Sequence, residues 1–261
     1  MNSTLRKQTR VLNHMTVPFT LTFITLPEVD VTSEIVTVSQ KVDHFLAQID
    51  QQFSPFKVDS DVSRFQRHEL DLLTADATFQ TIYALSMGAK QFTQGGFNAY
   101  YHGYFDPTGL VKGWAIETAQ QQFLQPLLDH PWFIAVGING GGDIQLATND
   151  GEFDWEIGIE NPTNLQQILA TYYRNSGAVA TSGFNKRGLH IERPAANDFR
   201  QLTIIGDSLT TADVWATAGL SMTATDFRTL SELHQLSGMV VYDDLSVRAF
   251  AGGEWFDAQK L

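Results

Sequence analysis

The spacing of the apolar residues changes near Pro131, and this change limits the fold classes open to the chain. Before Pro131, apolar residues recur at intervals of three and four, as they do on one face of an α-helix. After Pro131 come short apolar runs separated by glycines, which are typical of strands. Helices and strands follow one another without the strict alternation of a doubly wound sheet. The sequence therefore predicts an α+β fold, a single compact unit over residues 1–261 with a mixed or antiparallel sheet and packed helices.

The first half is predicted to hold an opening hairpin and three helices. Strand character at 9–13 and 19–25 flanks a break that ends at Pro18. The helices are predicted at 33–53, with Thr32 or Ser33 as N-cap, at 75–94 and at 110–128, with a polar loop over 54–64. In the second half the predicted strands are 132–138, 144–147, 153–159, 168–174, 178–181 and 202–205, followed by helices at 208–222 and 226–235 and a hairpin of 239–242 with 246–250.

Charge and composition exclude several classes of function. The chain has 29 acidic and 17 basic residues, a formal charge of −12 that argues against a nucleic-acid partner. It has no cysteine, so disulfides, thiolate metal sites and a cysteine nucleophile are excluded. It has neither a run of about 18 apolar residues nor a stretch of signal-peptide character. We therefore expect no membrane insertion and a cytoplasmic location.

The segment Phe105–Ala115 joins a carboxylate, Asp106, a tight turn and Lys112 at the start of a predicted helix. A helix N-terminus offers unpaired N–H groups and partial positive charge, so a lysine beside it favours a site for phosphate. The alternative is a capped turn with a surface lysine.

A second candidate is Thr210–Thr217, in which Asp213 and Thr217 are four positions apart. On a helix these two side chains share one face and present a carboxylate and a hydroxyl together. Hard oxygen ligands of this kind suit Mg²⁺. The alternative is an acidic residue that only complements the helix dipole.

Two further segments allow a functional and a structural interpretation. The glycine run Asn139–Asp143 fits a hairpin turn better than a nucleotide loop, since it leads into a strand. The segment Ala180–Gly183 is followed by His190, which is either a catalytic group or a surface or hydrogen-bonded histidine.

Taken together and in order, eight segments resemble the FAD:protein FMN transferase family, also called the ApbE family. The resemblance runs from Met15 to about Gly252 and is carried by 53–56 with 59–65, 95–98, 106–113, 139–144, 155–162, 180–183, 190–194 and 211–217. It implies an enzyme that splits FAD with Mg²⁺, transfers FMN to a threonine hydroxyl of an acceptor flavoprotein and releases AMP.

The resemblance also implies roles for individual residues. The metal ligands would be the Gly109 carbonyl and the side chains of Asp213 and Thr217. Flavin contacts would be Met15, Phe56, Gly96, Phe97 and Asn98, with Asp106, Lys112, Glu192 and Ala216 near the nucleotide. Phe56 and Phe97 would offer aromatic surface for stacking. His190 is our candidate for the base that activates the acceptor threonine, which is a poor nucleophile at neutral pH.

The chain departs from the family pattern at Asn98, where the family often has Asp, and at Glu192 and Arg193, where it often has an apolar residue and an acid. Three alternatives stay open at this stage. They are a Mg²⁺-dependent FAD pyrophosphatase, in which water replaces the threonine, a flavin-binding protein without chemistry, and a scaffold with a vestigial site.

Overall fold

An antiparallel sheet of nine strands forms the centre of the computed structural model, which describes residues 5–149, 153–184 and 194–257. From one edge of the sheet to the other, its strands are β1 Arg6–His14, β2 Val17–Thr25, β3 Phe133–Gly140, β4 Asp143–Thr148, β7 Gly177–Gly183, β8 Phe199–Gly206, β9 Ser237–Tyr242, β10 Val247–Ala251 and β11 Glu254–Asp257. The two remaining strands, β5 Trp155–Asn161 and β6 Asn164–Arg174, pair only with each other among the described strands and form a ribbon.

Six α-helices are described: α1 Thr32–Phe53, α2 Asp61–Gln66, α3 Ala77–Phe92, α4 Thr108–Ala119, α5 Leu209–Ser221 and α6 Ala224–Leu233. The apolar spacing of α1 is that of an amphipathic helix, and its buried residues include Ile35, Val42 and Leu46. Helix α4 continues into a π-helical turn, Gln120–Leu124, and a 3₁₀ turn, Gln125–Asp129. No helix in the described ranges is both long enough and apolar enough to cross a membrane.

The sheet separates two hydrophobic cores, because successive side chains of a strand point to opposite faces. On β7, Ala178 and Ala180 belong to the larger core, which the helices cover. Val179 between them belongs to a smaller core together with Ile157 and Ile159 of the ribbon. The layers are therefore helices, sheet and ribbon, and the predicted α+β class with an antiparallel sheet is confirmed.

Several boundaries differ from the sequence prediction, each for a local reason. Neither Thr32 nor Ser33 caps α1; instead the Asp30 carboxylate accepts the backbone N–H of Thr32 at 3.1 Å. The predicted loop 54–64 contains the start of α2, whose N-cap Ser60 accepts the N–H of Ser63. The helix predicted over 110–128 keeps α geometry only to Ala119. Strand β11 was not predicted.

Candidate functional site

Helices α4 and α5 cross on the sheet, and their close approach builds the candidate site. A Cβ atom added to Gly113 of α4 would lie 2.9 Å from Asp213 Cβ and 3.1 Å from the Leu209 carbonyl oxygen of α5. The carboxylate of Glu117 in α4 accepts the backbone N–H of Thr210 at 2.8 Å and the hydroxyl of Ser208 at 2.9 Å. The first turn of α5 is thus fixed to α4 by polar contacts as well as by packing.

A buried charge cluster lies at this crossing and consists of Lys112, Asp143 and Asp213. The Lys112 Nζ atom is 2.9 Å from Asp213 Oδ2 and also forms an ion pair with Asp143 Oδ2. Each of the three side chains is at most 6% exposed. One ammonium faces two carboxylates, so the formal charge of the cluster is −1. Buried charges of this kind require partners, because desolvation disfavours them.

Asp143 enters the cluster from the turn between β3 and β4. Gly141 and Gly142 have φ angles of 64° and 100°, which favour glycine, and the Asn139 side chain accepts the N–H of Gly142 at 3.0 Å. The glycine run is therefore a hairpin turn. The other oxygen of Asp143, Oδ1, accepts the backbone N–H of Thr181 on β7 at 3.0 Å. Asp143 was not predicted as a site residue, although a carboxylate directly after a glycine turn was a usable signal.

The three predicted metal ligands lie close together, and one of them, Asp213, belongs to the buried charge cluster. Thr217 follows Asp213 by one turn of α5, and its hydroxyl is 3.4 Å from the hydroxyl of Ser182 at the end of β7. Gly109 lies in the first turn of α4, where an added Cβ would be 3.9 Å from Thr217 Cγ2. Ser182 lies in the segment 180–183, for which a functional and a structural interpretation were both open, and its hydroxyl is a further neighbour of these residues.

These residues fit a magnesium ion by their chemistry. A carboxylate, a hydroxyl and a backbone carbonyl are hard oxygen donors, and the cluster beside them carries excess negative charge. Among the described residues, no group of three or more His, Cys, Asp or Glu side chains is arranged to hold a metal. Any magnesium ligand set here therefore depends on hydroxyl and backbone oxygens in addition to Asp213.

The predicted flavin residues Gly96, Phe97 and Asn98 follow α3. An added Cβ on Gly96 would lie 3.2 Å from Ala218 Cβ, and the Ser221 hydroxyl donates to the Gly96 carbonyl, so this segment is held against α5. The Phe97 ring is buried, with 4% exposure, and packs against Gly109. Phe97 therefore has almost no free ring surface for the expected stacking. Asn98 Oδ1 accepts the N–H of Tyr100 at 3.1 Å.

The remaining predicted nucleotide residues have different surroundings. Asp106 Oδ1 accepts the backbone N–H of Thr108 at 3.0 Å, as in a capped turn. Lys112 is 5% exposed and paired, so it is not the surface lysine of the alternative interpretation. Ala216 is fully buried within α5.

Met15 and Phe56 lie in turns and loops. Met15 is at the turn between β1 and β2. This turn lies beside the glycine turn, since a Cβ atom added to Gly141 would be 3.4 Å from Val17 Cγ1. Phe56 follows α1 and is 85% exposed, so its ring is free to stack. His190 and Glu192 lie outside the described residues.

The chain is similar to proteins of one family. A sequence model of the ApbE family matches residues 101–240, more than half of the chain. Among curated protein sequences, none matches the chain.

Solved structures with the same fold cover almost the whole chain. The flavin transferase ApbE from Vibrio cholerae has a TM-score of 0.74 at 18% identity, covering 95% of this chain and 97% of its own. The ApbE protein from Thermotoga maritima has a TM-score of 0.76 at 18% identity, covering 94% and 97%. The apo flavinyl transferase ApbE from Pseudomonas stutzeri has a TM-score of 0.70 at 14% identity, covering 91% of each chain. With its sequence match over the α4–α5 site and a fold shared along nearly its full length, the chain belongs to the ApbE family.

Proposed function

We propose that the protein is a single-domain, Mg²⁺-dependent FAD:protein FMN transferase that moves FMN from FAD to a threonine hydroxyl of an acceptor flavoprotein. Membership of the ApbE family supports this proposal, and so do the names of the similar structures from Vibrio cholerae and Pseudomonas stutzeri. The observation that carries it is the buried charge cluster beside Gly109 and Thr217. A cytoplasmic location stays a prediction of the sequence.

The proposed reaction is a phosphoryl transfer. The threonine oxygen attacks the phosphorus atom of the FMN half, and the bond from that phosphorus to the bridging oxygen breaks. AMP leaves with the bridging oxygen, and the hydroxyl proton passes to a base. Catalysis of this type depends on positioning and on stabilising the negative charge of the transferred group.

The residues of the site are suited to these tasks. Asp213, Thr217 and the Gly109 carbonyl would hold Mg²⁺, which when bound supplies positive charge to the pyrophosphate. The partial positive charge at the start of α4 would attract the phosphates, and the Lys112 ammonium would offset the negative charge of Asp143 and Asp213 beside them. Phe56, with its exposed ring, would stack on the flavin or the adenine. His190 is proposed as the base that accepts the threonine proton.

The test combines the purified protein with FAD, MgCl₂ and an acceptor domain that carries the threonine, and follows the acceptor by mass spectrometry. Asp213→Ala is expected to lose labelling and to stay folded, because Lys112 keeps Asp143 as its ion-pair partner. Asp207→Ala is the matched control, since its side chain is 98% exposed just before α5 and it should label at the wild-type rate. Labelling by Asp213→Ala at the wild-type rate would contradict the assignment.

A second variant tests the proposed base. His190→Ala is expected to lower the transfer rate by about 10²- to 10⁴-fold with little change in FAD affinity, as for a group that acts in the transition state. Single-turnover kinetics and FAD titration measure the two effects separately. Release of FMN and AMP without labelling by the wild-type protein would instead support the pyrophosphatase.

A further inference from the structure

We infer that Asp143 is a positioning residue that draws the Lys112 ammonium away from Asp213, so that the Asp213 carboxylate is available to a divalent cation. This inference rests on the proposed function, because it assumes that the site binds Mg²⁺. It adds a residue that neither the sequence motifs nor the family resemblance assigned to the site.

The need for such a residue follows from the geometry around Lys112. Its Nζ atom is 2.9 Å from Asp213 Oδ2, so the ammonium occupies one of the two carboxylate oxygens that Asp213 can offer to a cation. The two positive charges compete for the same carboxylate in a buried place, where water screens them poorly. Binding of the cation to Asp213 is therefore easier when the ammonium has another anionic partner.

Asp143 is built to be that partner. Its Oδ1 atom is engaged by the backbone N–H of Thr181, while Oδ2 pairs with Lys112. The carboxylate is 3% exposed and follows a glycine turn that Asn139 fixes, so it stays in place whether or not Lys112 pairs with Asp213. Each oxygen of Asp143 thus has its own partner.

The test measures Mn²⁺ binding by the electron paramagnetic resonance signal of free Mn²⁺, with Mg²⁺ as competitor. In Asp143→Asn, Lys112 has only Asp213 as a carboxylate of the cluster, and we expect Mn²⁺ affinity to fall by about tenfold, as for coupled charged neighbours. In Lys112→Met, no ammonium competes for Asp213, and the affinity should rise.

The double variant Asp143→Asn with Lys112→Met separates this mechanism from a simple charge effect. It has the same formal cluster charge as the wild type, −1, and no competing ammonium. If Asp143 acts through Lys112, losing Asp143 costs little once the ammonium is absent, and we expect the double variant to bind Mn²⁺ within about threefold of Lys112→Met. A simple charge effect would instead weaken binding by about tenfold in the Lys112→Met background as well. Asp143→Glu, which keeps the charge, should bind Mn²⁺ more tightly than Asp143→Asn.

Thr203→Val is the matched structural control. Thr203 is fully buried on β8, and its hydroxyl is 2.9 Å from that of Thr181, so the variant removes a buried polar contact near Asp143 without changing any charge. It should lower stability and leave Mn²⁺ affinity unchanged.

Two results would overturn the inference alone. One is wild-type Mn²⁺ affinity in folded Asp143→Asn, and the other is a double variant that binds Mn²⁺ about tenfold more weakly than Lys112→Met. A wild-type protein that binds no Mn²⁺ with or without FAD would instead overturn the metal dependence of the proposed function, and the inference with it.

Discussion

Replacing Lys112 by methionine is expected to destabilise the folded protein strongly, because it leaves two buried carboxylates without their ammonium. Methionine has a similar length and keeps the apolar packing of the lysine stem. The carboxylates of Asp143 and Asp213 are at most 6% exposed, so water replaces the lost partner poorly. Removal of one partner from a buried ion pair costs about 3–5 kcal/mol, a large fraction of a stability of about 5–15 kcal/mol.

The matched variant Asp213→Asn leaves the same ammonium with Asp143 and reduces the formal cluster charge to zero. We expect its free energy of unfolding to fall by less than about 2 kcal/mol, the scale of one impaired buried hydrogen bond. Urea unfolding at neutral pH in EDTA, followed by circular dichroism and by the fluorescence of tryptophans such as the buried Trp215, measures both values.

Added MgCl₂ should recover part of the loss in Lys112→Met, since a bound cation supplies the missing positive charge. A loss below about 1 kcal/mol in Lys112→Met, or a larger loss in Asp213→Asn, would refute the view that Lys112 neutralises this cluster.

Three other predictions concern the fold around the site. Gly113→Ala should lower the free energy of unfolding by about 1–3 kcal/mol, because the new Cβ would lie 2.9 Å from Asp213 Cβ. The control Gly88→Ala in α3, where nothing lies within 4 Å of an added Cβ, should raise it by about 0.5–1 kcal/mol. Urea unfolding measures both values. Thr16→Gly should stabilise the folded protein by about 1 kcal/mol, because Thr16 has a φ of 62°, a left-handed conformation that glycine adopts more easily. The control Thr20→Gly, within β2, should destabilise the protein in the same assay. Hydrogen bonds from the hydroxyl and backbone N–H of Thr32 lower the pKa of Asp30 in the folded protein. The ionised carboxylate therefore stabilises the fold at pH values above its unfolded pKa. This contribution disappears as the pH falls through the folded pKa. The stability difference between wild type and Asp30→Asn should therefore shrink on acidification from about pH 5 to about pH 2, and a constant difference would contradict this explanation.

Features set by neighbours in sequence were predictable. The buried face of α1, with Ile35, Val42 and Leu46, follows directly from apolar spacing. Asp213 and Thr217 were paired correctly on one face of α5, because four positions make about one helical turn. The end of α4 was not predictable, since apolar spacing does not separate α-helix from the π and 3₁₀ turns that follow Ala119.

Features that depend on distant pairing were missed. Lys112 and Asp213 are 101 positions apart, and their ion pair exists only because α4 and α5 cross on the sheet. Asp143 joins them through the antiparallel pairing of β4 with β7. Asp106 belongs to the segment that was predicted as either an anion site or a capped turn, and its observed hydrogen bond from the Thr108 N–H is the local contact of a capped turn. The chemical type of each site residue was therefore easier to predict from the sequence than the group with which its side chain pairs.

The ratio of AMP released to FMN attached tests the proposed transfer of FMN most directly. The protein, FAD, MgCl₂ and the threonine-bearing acceptor are mixed, and chromatography of nucleotides is combined with the intact mass of the acceptor. We expect one AMP for each FMN attached, and neither product in EDTA or with Asp213→Ala. Intact FAD beside an unlabelled acceptor, or labelling that persists without Mg²⁺ and without Asp213, would contradict it.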